Sequence, residues 1–150
     1  MGVLKDKLSQ AERRPQLITD CVKLVDSEVA SKSGVTGLMI KSGYKMFTTI
    51  MPRMVENAVD VLLDEFLVVL DRHYDAYLKA VPDQKTPFES WAKSRDSLIA
   101  DDLLKITDDI MNRSNKTAIK KIYAGMRKVA QRNVAEAVPG IGRLVSKHMA

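Results

Sequence analysis

The sequence predicts an all-α fold, a single compact bundle of five to seven helices formed by residues 1–150. Three observations predict it. Apolar residues recur at three- and four-residue intervals along most of the chain, which is the period of one helix face. No segment alternates apolar and polar residues in the manner of a half-buried strand. The breaks between stripes are short, with no Gly-, Ser- or Pro-rich linker and no internal repeat to divide the chain. Of 150 residues, 45% are hydrophobic, 29% charged and 5% aromatic, a composition suited to one core that buries roughly two-thirds of the unfolded surface.

Each element follows from its own signals. Ser9 with Glu12 has the spacing of a capping box, and the short turn it opens closes near Arg14, because Pro15 restricts the residue before it. Pro15 suits a first helical position. From there Leu17, Ile18, Cys21, Val22, Val25 and Val29 mark one face of a helix that Ser33 and Gly34 end. Thr36 caps the next segment, where Met39, Ile40, Gly43, Met46, Phe47, Ile50 and Met51 fall within an arc of about 120° and are expected to face the core. Pro52 interrupts the pattern. After it Val55, Val59, Leu62, Leu63, Phe66, Leu70, Tyr74, Tyr77 and Leu78 form the longest stripe, the expected central helix. Residues 81–87 read as a loop, and Thr86, Pro87 and Glu89 combine a capping box with a helix-starting proline. Phe88 and Trp91 begin that helix, an interruption falls near residues 94–97, and Ile99, Leu103, Ile106 and Ile110 carry an apolar face to about residue 112. Ser114 or Asn115 restarts the chain. Ile119, Ile122, Met126, Val129, Ala130 and Ala137 then mark a helix expected to end before Pro139, and residues 143–150 are expected to form a short last helix.

The lone Cys21 excludes an intrachain disulfide and a disulfide-stapled secreted scaffold. Lys5, Asp6 and Lys7 stand where a secretory signal needs an apolar run, and Asp6 occupies the position where an N-myristoylation motif wants Ser or Thr. The most apolar run, residues 66–70, is far shorter than the roughly 20 residues that cross a bilayer. A cytoplasmic protein is expected, and the sequons at Asn112 and Asn115 are chance matches.

Charge is distributed unevenly. Residues 1–52 carry +3, residues 53–112 carry −6 and residues 113–150 carry +8, which sum to the formal +5. On a helical wheel Lys116, Lys120 and Arg127 form one row and Lys121, Lys128 and Arg132 another, about 120° away. Thr117, Ala124 and Gln131 lie between these rows. Two basic rails around a strip of shorter side chains would let a nucleic-acid backbone approach, with salt-dependent affinity. The other reading is that the acidic middle segment packs beside the basic tail, or that the face is simply solvated.

Residues 138–142, Val-Pro-Gly-Ile-Gly, precede Arg143 and Lys147. This stretch resembles the hairpin of the helix-hairpin-helix DNA-binding motif. That resemblance implies that Gly140 and Gly142 admit a DNA phosphate close to the backbone while Arg143 and Lys147 add charge. It covers about 18 residues, and Ser146 replaces the small alanine that usually packs the two helices. The alternative is a helix end and a fold-back that any bundle uses. The chain as a whole, through Arg13-Arg-Pro15, residues 24–34, Gly37, residues 40–44 and the ending around residues 139–148, resembles a bacterial family of small helical proteins of unknown function. This implies a bacterial cytoplasmic origin and transfers no catalytic residue.

Enzymatic signals are weak. His73 and His148 are the only histidines and neither has the spacing that builds metal sites in bundles. Glu56, Asp60 and Asp64 share a helix face, and Asp101, Asp102, Asp108 and Asp109 form a second acidic set, but helix exteriors commonly look like this. Cys21, on an apolar stripe, reads as a small core thiol. No catalytic residue, metal or cofactor is expected. The expected function is a non-enzymatic binding or interaction protein with a protein partner or self-association. The alternative is nucleic-acid binding through the basic C-terminal helix and hairpin. A third reading is a peripheral lipid contact by the Met39–Met51 stripe with Lys41, Lys45 and Arg53, a segment without an interfacial Trp. No integral membrane segment is expected.

Overall fold

The computed structural model describes residues 2–50 and 52–150, with the side chains of Phe47, Ile50, Met54, Ile119 and Ile122 outside the description. Among the described residues the chain forms seven helices and no strand: α1 (Val3–Leu8), α2 (Arg14–Ser31), α3 (Gly34–Ile50), α4 (Met54–Ala80), α5 (Phe88–Lys93), α6 (Asp96–Arg113) and α7 (Thr117–Met149). The two longest helices organise the rest. α4 packs on α1, α2 and α6, while α7 packs on α6 with one half and on α5 with the other, and touches α2.

α1 is an element that the charged start of the chain concealed. Its first-turn amides have no partner within the helix, and α4 supplies one: Gly2 N and Lys5 N donate to the two carboxylate oxygens of Asp71 at 2.9 and 3.0 Å. Leu4 and Leu8 then bury one face completely. Pro15 opens α2 as expected, and the break between α5 and α6 falls at Ser94 and Arg95. Beyond Tyr74 on α4 the core is aromatic. Tyr74, Tyr77, Phe88 and Trp91 pack with ring centroids 5.1–6.1 Å apart, and Arg95 lies 4.7 Å over the Trp91 ring.

Two expectations are corrected. First, α7 does not end before Pro139, and there is no separate last helix: it runs unbroken through Pro139 to Met149. The apolar rhythm explains this, because Val134, Val138, Ile141, Val145 and His148 continue at three- and four-residue steps across the proline and pack inward. That burial outweighs the roughly 3 kcal/mol that an interior proline costs. Second, α3 does not turn its methionine arc to the core. Gly37, Ile40 and Tyr44 face α2 and α4, while Met39 and Met46 are 70% and 61% exposed. A bond from Tyr44 Oη to Asp26 and the close approach of Gly37 to the Lys32 backbone fix this rotation. Phe47, Ile50 and Met51, also assigned to that arc, have side chains outside the described residues.

Candidate functional site

Between α2, α4, α6 and α7 the bundle is hollow. Leu63, Phe66, Leu67 and Leu70 of α4 and Leu103 and Leu104 of α6 form one wall. Leu17, Cys21, Leu24, Val25 and Val29 of α2 form a second, and Val129, Ala130, Val134, Ala137, Ile141 and Val145 of α7 a third. They line a partly open cavity of about 450 Å³, within the size range of small-molecule sites. Several of the α7 side chains that line it, Val129, Ala130 and Ala137, are short.

The cavity's buried lining comes from α1, α4 and α6 with Leu17 of α2 and Val145 of α7, and its half-exposed lining from α2, α7, Ile40 of α3, Phe66 of α4 and Thr107 of α6. Polar groups are few and already engaged. Lys32, its side chain only 10% exposed, reaches from the end of α2 to Glu136 of α7 at 2.8 Å and to Glu28 at 3.7 Å. Thr107 Oγ1 donates to Leu104 O and shares a 2.6 Å bond with Tyr123 Oη, and Asn133 Nδ2 donates to Val129 O. Among the described residues no buried side-chain nitrogen or oxygen lacks a partner. Nothing in the walls asks for a buried charge. Burial pushes the Cys21 thiol up to about 11, so at neutral pH it is a protonated wall group rather than a nucleophile.

The structure separates the two basic rails. Arg127 turns toward α6, where its Nε meets Asp108 at 2.8 Å and an Nη meets Asp101 at 3.1 Å. Donating to Asp108 raises the Arg127 pKa further, and Arg127 in return lowers that of Asp108. Arg127 is thus neutralised by the acidic segment, and Lys116 and Lys120 share its row but remain exposed. Lys121, Lys128 and Arg132 face outward and, among the described residues, make no ion pair.

The hairpin does not form, since Gly140 and Gly142 lie inside α7. A Cβ on Gly140 would stand 2.6 Å from Leu24 Cδ1, and one on Gly142 would stand 2.6 Å from Glu89 Cα. These glycines are contact points for α2 and α5, closed to a phosphate. Arg143 lies 3.5 Å from Glu89, and Lys147 is 2.9 Å from Asp20.

Both histidines are bound to carboxylates: His73 Nε2 to Asp102 at 2.8 Å, and the buried His148 Nε2 to Asp20 at 2.7 Å. Burial pushes the Asp20 carboxyl up, but bonds from Lys147, His148 and Gln16 outweigh it and hold the group at about 2. Of the other acidic set, Asp60 and Asp64 hold Arg14 at 3.0 Å. Among the described residues no three His, Cys, Asp or Glu side chains converge as a metal site, and no helix is long and apolar enough to cross a membrane.

Sequence reasoning missed the cavity, although small residues at Ala130 and Ala137 within a stripe of Leu and Val were its visible trace. No curated protein and no solved structure matches this chain. A family model described as "Family of unknown function (DUF6918)" matches residues 4–149, and the chain belongs to that family.

Proposed function

We propose that the protein is a non-enzymatic binding protein for an uncharged, elongated hydrocarbon ligand, held in the cavity between α2, α4, α6 and α7. The carrying observation is the cavity itself: about 450 Å³ with walls of Leu, Val, Ile, Phe and Ala. An apolar cavity of about 150 Å³ already stays dry and accepts benzene. Apolar walls that face unfilled space forgo dispersion contacts. A ligand supplies the missing contacts. Its buried part is uncharged because Lys32 is already matched by Glu28 and Glu136. A bacterial, cytoplasmic setting is inferred with it, on the single thiol and the family resemblance.

The test is a fluorescent hydrocarbon-chain probe whose emission rises in apolar surroundings, titrated into wild type and Ala130→Phe. The phenyl group fills the cavity from α7, so the variant is expected to lose probe binding while gaining about 0.5–2 kcal/mol of stability. A variant that binds the probe as wild type does would remove the assignment.

A second reading, nucleic-acid binding, is favoured by one observation: Lys121, Lys128 and Arg132 form an outward row about 16 Å long. Its expected mark is affinity for duplex or single-stranded DNA that falls by orders of magnitude between roughly 50 and 200 mM salt and disappears when the three cations are reversed. Equal behaviour of wild type and the reversed variant excludes it.

A further inference from the structure

We propose that α3 docks the protein on an anionic lipid bilayer, setting a helix of the cavity wall beside the hydrocarbon source from which its ligand comes. The second half of this statement rests on the ligand-binding reading above; the docking itself does not.

The outer face of α3 is apolar without being covered. Val35, Leu38, Met39 and Met46 are 61–80% exposed, and at 100° per residue they occupy an arc of about 100°. The other residues in that arc are Ser42 and Thr49, which carry only hydroxyls. Lys41 and Lys45 border the arc, both exposed and, among the described residues, in no ion pair. Residues 29–55 contain four cations, Lys32, Lys41, Lys45 and Arg53, and no Asp or Glu. An apolar stripe edged by cations is matched by acyl chains beneath anionic headgroups.

The same charges argue against a second copy as the cover. A two-fold interface places the same patch on both partners, so Lys41 and Lys45 would meet their own counterparts with no acidic residue of the segment to offset them. The opposite face of the helix fits the bilayer assignment. Ile40, on the inner side of α3, is one of the half-exposed residues that line the cavity. A helix seated in the headgroup layer therefore stands between lipid and cavity, with one face on each.

The test is co-sedimentation of the full chain with vesicles of phosphatidylcholine alone and of phosphatidylcholine mixed with phosphatidylglycerol. Binding is expected only to the mixed vesicles. It should fall about tenfold or more in Lys41→Glu/Lys45→Glu, given about fivefold for each cation near an anionic surface, and comparably in Leu38→Ser/Met39→Ser. All four positions are exposed, so circular dichroism should report an unchanged fold. Lys41→Glu/Lys45→Glu should keep wild-type affinity for the soluble probe, and Ala130→Phe should lose the probe yet still sediment, which separates docking from ligand binding. Docking is overturned if wild type binds neither vesicle or both equally, if reversing the lysines changes nothing, or if light scattering shows a dimer that Leu38→Ser/Met39→Ser dissolves.

Discussion

One helix, α4, borders two regions of opposite character. Its middle turns Leu63, Phe66, Leu67 and Leu70 toward the cavity, and the turns that follow press Tyr74 and Tyr77 against Phe88 and Trp91. Both regions are apolar, so hydrophobicity does not distinguish them. Side-chain size against helix separation does: rings fill the space between α4 and α5, whereas Ala130 and Ala137 leave the space between α4 and α7 vacant. The filled region fixes the bundle, which allows the hollow one to remain open.

The comparison is tested most severely by truncation on each side. Trp91→Ala is expected to lower unfolding stability by about 3–5 kcal/mol, and Met126→Ala, at the edge of the cavity, by no more than about 0.5 kcal/mol; equal shifts in urea midpoint would erase the distinction. Next are two glycines of α7. Gly142→Ala drives a methyl into the Glu89 backbone and should cost about 1–3 kcal/mol. Gly125, with nothing within 4 Å of a Cβ, should behave oppositely, Gly125→Ala raising stability by about 0.5–1 kcal/mol in thermal unfolding. Between these in size lies Asp20. Its carboxyl is held at about 2, below the ordinary 3.8, so its contribution is complete above about pH 4 and fades as pH falls through about 2. Asp20→Asn should thus cost at most about 2 kcal/mol near neutral pH, with screening of the exposed Lys147 partner reducing it. The gap to wild type should close on acidification, and a gap constant from neutral pH to about 2 would contradict the cited shift.

The all-α class, the central helix and the α5–α6 break were legible because each has a local cause: a stripe, a proline, a cluster of small polar residues. α1 was not, since its cap is Asp71, 69 residues away. Pro139 and Gly140 carried the local signature of a turn, and only contacts with Leu24 and Glu89 reveal this stretch as a packing surface. For the basic rows, charge and spacing were readable, but which row meets Asp101 and Asp108 depends on how α7 is rotated against α6. The exposure of Met39 and Met46 was hidden similarly, because an apolar arc does not say on which side of a helix its neighbours lie.

Pro139 gives α7 a property that its unbroken course conceals. A proline offers no N–H, so the carbonyl of Ala135 lacks its usual rung. The gap falls between the stretch of α7 whose Arg127 meets Asp101 and Asp108 of α6 and the stretch whose Gly142 packs on Glu89 of α5. The missing rung makes this the point of α7 where bending costs least, and the packing of Val138 and Ile141 holds it in line.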